Sequence, residues 1–455
     1  MWQIIPSLAA LVQDLAPVFT EPTLRTHTEL LLGWLMCLGR HTEYRVFEAI
    51  DASRVASRAQ RHPFDRFYNF FSRSAWSVKK LGHELLISIV TRLHLTGVLY
   101  LIVDDTLLHK RGKHVYGLGW FRDAVASTAK RVATASGNNW VVLALAIPIP
   151  KTSIILALPL LARLHVVGKG QPSPPDLAKA MLLEVLGWYP DFRFVLVGDG
   201  GYSAEKLLNN LDKRVTYVGR MRSDAEVYDP VVPHQAHSKR GPKPKKGSRL
   251  PGPKEAAQRA DANRTKQSPW AWQTVEALAY GVQRTLQVLA YTVVWPEVFG
   301  LRPVRIVVVR DPEGKMKDAY LFTTEVTATL DWVITTYAKR WSIEVAFKNS
   351  KQVLHIEGPQ HWCQASIEKL APWLWQMQSM LTLWYLSVGH TLPEAQAARV
   401  RMGPWDSEWS LGHIVCVLRT ALLEETITPK SGTKANWQQL LGRVKTYLTH
   451  AAFAC

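Results

Sequence analysis

Apolar residues recur at three- and four-residue intervals from Ile4 to about Leu95, as in LRTHTELLLGWLMCLGR and VKKLGHELLISIVTRL, and predict a run of amphipathic helices. At Val98 the pattern changes. VLYLIVDDT is a continuous apolar run ending in acids, NWVVLALAIPI and TSIILALPLL are two more, and the break at 148–152 reads as a hairpin connection. DLAKAMLLEVLGWY then has helical spacing, FRFVLVGDGG predicts a buried strand ending in Asp199, YSAEKLLNNL a helix and RVTYVGRM another strand. Strand, strand, strand, helix, strand, helix, strand implies a mixed sheet with helices on its faces. Acids at the ends of its first and fourth predicted strands are candidates for meeting at one edge.

The alternation stops after 222. Residues 239–266 hold ten basic residues against two acidic ones, interspersed with Gly and Pro, and predict a basic loop without regular structure over most of its length. Strand-like runs follow, TVEALAY, RTLQVLAYTVVW, RPVRIVVVRD and DAYLFTTE, before helical spacing resumes near Leu330. The predicted organisation is an N-terminal helical, DNA-binding region (1–95), an α/β core in two parts (96–222 and 326–390), a β-rich insertion (223–325) and a C-terminal helical region (391–455). No internal repeat is present.

With 455 residues, 47% of them apolar, the chain is long enough for several cores. A formal charge of +18 favours a polyanionic partner. The four cysteines, Cys37, Cys363, Cys416 and Cys455, show no CxxC pair, and the expectation is a reduced, intracellular protein without structural disulfides. MWQIIPSLAALVQDLAP lacks early basic residues and a cleavage site, so it reads as an ordinary helix rather than a signal peptide. The longest apolar stretch, 140–167, is broken by Pro148, Pro150, Lys151 and Arg163, and no membrane role is expected.

The stretch 335–353 reads as one helix containing Tyr337, Arg340, Glu344 and Lys351. At ~100° per residue these four fall within roughly a 60° sector, and Lys348 lies about 20° from Tyr337. A phenol, a guanidinium, a carboxylate and an ammonium on one face suit a phosphodiester, with the acid placed to hold a metal. Three acids far apart in sequence, Asp104 or Asp105, Asp199 and Glu344, are then positioned for phosphodiester chemistry. That chemistry needs an activated water or 3'-hydroxyl and a stabiliser for developing charge, which two Mg2+ or Mn2+ ions about 3.5–4 Å apart on carboxylates supply. Each acid alone reads more readily as a turn or cap residue, and it is the combination with the helix face that favours the metal site.

Taken together, the strand with Asp104 and Thr106, the strand ending VGDGGY and the Tyr337, Arg340, Glu344, Lys351 helix resemble the catalytic core of DDE transposases of bacterial cut-and-paste insertion sequences. The resemblance covers 98–360. It implies a ribonuclease H-like mixed sheet interrupted by a β-rich insertion, with Asp104, Asp199 and Glu344 as metal ligands and Tyr337, Arg340 and Lys351 on phosphates. An Asp-x-Thr alignment selects Asp104, whereas an acid directly before Thr106 selects Asp105; facing opposite ways on a strand, only one of them serves. The implied partner is double-stranded DNA, both element ends and target, bound by a dimer or higher oligomer. The basic loop, Lys239, Arg240, Lys243, Lys245, Lys246 and Arg249, is a candidate DNA contact, as is Lys348. A nuclease or resolvase without strand transfer, and a non-catalytic DNA-binding derivative, are the alternatives.

Other signals are weaker. FDRFYNFFSRSAW reads first as core aromatics with arginines reaching outward, and Trp270, Trp272 and Trp295 as core packing before base contacts. Lys110, Arg111 and Lys113 read equally as solvated or phosphate-facing. His355, His361 and Cys363 lack a fourth zinc ligand at suitable spacing. The GDGG turn matches neither a dinucleotide nor an NTP motif, and Tyr337 lacks the neighbours of a covalent recombinase nucleophile.

Overall fold

A computed structural model of the chain describes residues 3–50, 65–123, 125–128, 131–230, 246–262, 270–399 and 407–427. Five helices lead: α1 (Pro6–Asp14), α2 (Glu21–Met36), α3 (Glu43–Ile50), α4 (Asp65–Ser72) and α5 (Val78–Arg92). The aromatic run 65–76 turns Phe67, Phe70, Phe71 and Trp76 into their shared core, while Arg66, partly exposed, pairs with the buried Glu29. Burying a side chain of this size is worth about 1.5–3 kcal/mol, which explains why the aromatics outvote the arginines in setting the helix face.

The sheet begins with β1 (Val98–His109), β2 (Gly119–Arg122), β3 (Thr134–Pro148) and β4 (Ile155–His165), and continues through α6 (Pro174–Trp188), β5 (Arg193–Gly198), α7 (Glu205–Leu208) and β6 (Val215–Arg220). β3 runs antiparallel to β1 on one side and to β2 and β4 on the other, while β1, β5 and β6 are parallel. Read across, β4–β3–β1–β5–β6 is the ribonuclease H-like order, an antiparallel trio extended by two parallel strands reached through helical crossovers. β1 outruns the expectation that it ends in acids. It continues to His109 because Leu107 and Leu108 are buried and pair with Asn138 and Asn139 on β3. Its parallel partner β5 stops sooner, the last pair being Val103 with Gly198.

The described residues of 223–325 form β7 (Val227–Tyr228), β8 (Arg249–Leu250), α8 (Pro253–Ala262), β9 (Gln273–Ala279), β10 (Val282–Val294), α9 (Pro296–Phe299), β11 (Pro303–Arg310) and β12 (Ala319–Thr323). It is not separate from the core sheet: β12 pairs with β6, Leu321 opposite Arg220, and β11 and β10 follow in order. β9 and β10 join through Tyr280 and Gly281, both at positive φ (52° and 79°), as a tight two-residue hairpin requires. The predicted irregular loop is corrected in part. Residues 253–262 form α8, started by Pro253 in the first helical position and held by buried Ala256, Ala257 and Ala260. Lys239, Arg240, Lys243 and Lys245 lie outside the described residues.

The chain closes with α10 (Leu330–Ala338), α11 (Trp341–Gln352), α12 (Gln364–Ser387), α13 (Pro393–Arg399) and α14 (Leu411–Ile427). The expected single helix over 335–353 is therefore two. Around Lys339 and Arg340 the backbone tightens to i→i+3 bonds, Arg340 N to Tyr337 O, Ser342 N to Lys339 O and Ile343 N to Arg340 O, and Ser342 Oγ also bonds the Lys339 carbonyl. α12 is buried along almost its whole length and locks the helical layer to the sheet, with Ser379 Oγ donating to Pro159 O and Gln376 Nε2 to both Leu160 O and Val78 O. Among the described residues no helix is long and apolar enough to cross a membrane.

Candidate active site

The mismatch in length between β1 and β5 creates the site. Beyond the pair Val103–Gly198, the next residues in register are Asp104 and Asp199, so two carboxylates stand side by side where β5 leaves the sheet. Gly198 lets this happen: a Cβ there would lie 2.7 Å from the Tyr217 hydroxyl and 3.0 Å from Tyr202 Cβ. Asp199 then turns the chain, its Oδ1 accepting from Gly201 N at 2.8 Å.

From the other side α11 brings Glu344. Arg340 Nη1 lies 2.7 Å from Asp104 Oδ2 and Nη2 lies 2.6 Å from Glu344 Oε1, so one guanidinium joins the strand acid to the helix acid. Burial lifts the Asp104 carboxyl to about 7; Arg340 opposes this, while Asp199 and Asp105 add to it. Burial would lower Arg340, but Asp104, Tyr337 and Glu344 together raise it.

Asp105 lies on the other face of β1, where Oδ2 accepts from Asn139 Nδ2 at 3.1 Å and Oδ1 from Tyr202 OH at 3.3 Å. Neither partner was foreseen, although Tyr202 sits in the VGDGGY motif already singled out. Of the two aspartates, Asp104 is the one facing Glu344.

The remaining helix residues divide. Tyr337 is only 6% exposed, with burial raising its phenol and its ring 5.9 Å from the Arg340 guanidinium. The break at 339–340 accounts for this, since it takes Tyr337 off the straight stripe shared with Glu344. Lys351 donates to Leu107 O at 2.6 Å and stands 3.9 Å from Glu357, tying α11 to β1, whereas Lys348 is exposed. Lys246 lies over the Tyr228 ring at 3.7 Å, and Arg249 stands 3.8 Å from Glu255, both outside the acidic cluster.

Beyond the acids β1 ends in a tether. His109 Nε2 meets Asp123 Oδ2 at 2.9 Å and its Nδ1 meets Glu357 Oε1 at 3.0 Å. Lys110 donates to Glu357 O at 3.1 Å and to Pro359 O at 2.8 Å, and burial draws its ammonium down to about 8. Lys110 is thus a strut between the 109–113 loop and the segment after α11. Lys110→Met should lower stability by about 2 kcal/mol, because two carbonyls lose a charged donor at once. The measurement is a urea midpoint, with the slope unchanged.

Among the described residues no three acids, histidines or cysteines converge closely enough, as placed, to enclose an ion. His361 bonds Glu43 and His355 stacks on His41, which uses both rings otherwise. The acid set nevertheless suits a hard divalent cation in kind: the donors are carboxylate oxygens, and burial, with the neighbouring acids adding to it, has lifted one carboxyl. The Arg340 guanidinium stands in for part of that positive charge. Of the three tryptophans of the insertion, Trp295 is buried against Phe322 as core packing requires, whereas Trp270 on Tyr291 and Trp272 under Arg310 are half-buried.

Against known proteins, a family model described as DDE superfamily endonuclease matches residues 14–284, a span that contains Asp104 and Asp199 and stops before Glu344. No curated protein matches. A solved structure titled as a cryo-EM structure of piggyBac transposase synaptic complex with hairpin DNA aligns over 96% of this chain and 80% of that one, at 10% identity and a TM-score of 0.38.

Proposed function

The chain belongs to the DDE superfamily of endonucleases, and on that premise we propose that it is a DNA transposase that binds the ends of its own insertion sequence, cuts there and joins the freed 3'-ends to target DNA. The observation that carries this reading is the placement of Asp104 and Asp199 in adjacent register with Glu344 drawn in beside them through Arg340. Asp104, Asp199 and Glu344 would hold Mg2+ or Mn2+, two ions in the usual arrangement. Such ions supply charge stabilisation at the phosphorus and an activated water or 3'-hydroxyl.

The chain's own residues do the rest. Arg340, with its fork engaged by Asp104 and Glu344, holds the two acids in place and keeps a positive charge at the point where a phosphate would enter. Lys348, exposed on α11, adds a point charge on the same approach. Lys351 acts at one remove: by holding Leu107 O it fixes the height of α11, and so of Glu344, against β1. The excess of +18 and the basic segment around Lys239, Arg240, Lys243, Lys245, Lys246 and Arg249 supply attraction for a long polyanion.

The test is incubation of the purified chain with a labelled element end, Mg2+ or Mn2+ and a plasmid target. Joined product is the expected result. Cleavage without joining would restrict the function to a nuclease, and metal-independent binding without cleavage would sink the enzyme reading.

A further inference from the structure

Past the tether at His109 and Lys110 opens a groove of about 740 Å³ between the 109–115 loop and residues 357–362. Arg40, Arg111 and Lys113 line it with exposed side chains that have no ion-pair partner among the described residues. Its one acid, Glu357, is engaged by His109 and lies near Lys351. The walls are built rather than incidental. Lys110 straps the two segments through the carbonyls of Glu357 and Pro359, and Tyr116 N donates to Trp362 O at 2.9 Å. At the rim stands Trp362, 65% exposed on an otherwise anchored backbone. An exposed indole beside unpaired cations on a braced wall offers both a stacking face and phosphate partners, the pairing that single-stranded nucleic acid uses.

We propose that this groove holds unpaired nucleotides of the DNA strand leaving the active site, with Arg40, Arg111 and Lys113 on phosphates and Trp362 stacked on a base. The inference rests on the transposase reading and adds a strand-binding surface to it. The distance agrees. From Asp104 to His109 is roughly 17 Å along β1, which a nucleotide strand covers in about five steps at the B-form rise and in fewer when unstacked. A base paired in duplex cannot present its face to an indole, so the groove should discriminate between single-stranded and fully paired ends.

The probes are a fluorescein-labelled DNA duplex with a single-stranded tail and the same duplex without it, titrated with the full chain by anisotropy over a range of salt. Trp362→Ala should weaken binding of the tailed probe about tenfold and leave the blunt probe unchanged, while Trp362→Phe, which keeps a π face, retains most of the affinity. Arg111→Ala with Lys113→Ala should reduce the log–log salt slope for the tailed probe by about 1.4, two contacts at the single-strand value. All of these side chains are exposed, so thermal midpoints should match the parent. Wild-type affinity of Trp362→Ala for tailed DNA, or an unchanged salt slope in the double variant, would overturn the groove while leaving the function standing if the parent still cuts DNA. A parent chain that binds neither probe would overturn both.

Discussion

Glu344→Gln is expected to lower DNA cleavage by roughly a thousandfold, the loss of about 4 kcal/mol of transition-state stabilisation, while leaving binding of element ends largely as it was. Glutamine keeps the shape of the side chain and its reach to Arg340 but surrenders the charge that would share a divalent ion with Asp104 and Asp199. Folding should hardly notice. The Glu344 side chain is 37% exposed, where ion pairs contribute little, and Arg340 keeps Asp104 as a partner at 2.7 Å. The measurement pairs a cleavage time course on labelled ends with an anisotropy titration on the same DNA. Cleavage at the parental rate would remove Glu344 from the chemistry.

Arg340→Ala should act in the opposite place, on stability. Its side chain and that of Asp104 are 15% and 13% exposed, so removing the guanidinium strands a buried carboxylate at a cost of about 3–5 kcal/mol. The deficit should depend on pH. Asp104 already sits at about 7 against an ordinary 3.8, and without Arg340 to oppose burial it moves further up. A carboxyl raised on folding contributes stability that is present below its unfolded pKa and lost as pH rises through its folded one. The variant should therefore lag the parent more at about pH 8 than at about pH 5.5. Urea titrations at both values check this. Adding Asp104→Asn should recover much of the loss, and Arg340→Lys should not, since an ammonium cannot bridge two carboxylates with a planar fork. A deficit independent of pH would show that Arg340 stabilises by packing alone.

Much of the sheet was legible because buried strands are written as near-continuous apolar runs: VLYLIV, FVLV and IVVV each lie where the pattern put a strand. Asp199 was legible through its glycines. What escaped depended on partners distant in sequence. The extension of β1 to His109 needs β3 as a template, the break at 339–340 needs a serine hydroxyl turned back on a carbonyl, and α8 needs a sheet to bury its alanines. The joining of Asp104 to Glu344 through Arg340 spans 236 residues of sequence between Asp104 and Arg340. Periodicity on a straight helical wheel put Tyr337 on the surface stripe; the tightened turn put it inside.

The pairing of β12 with β6 has a mechanical consequence. A load applied at the Tyr280–Gly281 hairpin passes along β10 to β11 and β12 and through β6 and β5 to β1, and it also enters α11 directly, because the Tyr280 ring meets Trp341 edge-on at 6.2 Å. The insertion is thus tied to the core at both ends rather than hung from it as a pendant lobe. Its two attachments are the sheet in which Asp104 is set and the helix that carries Glu344.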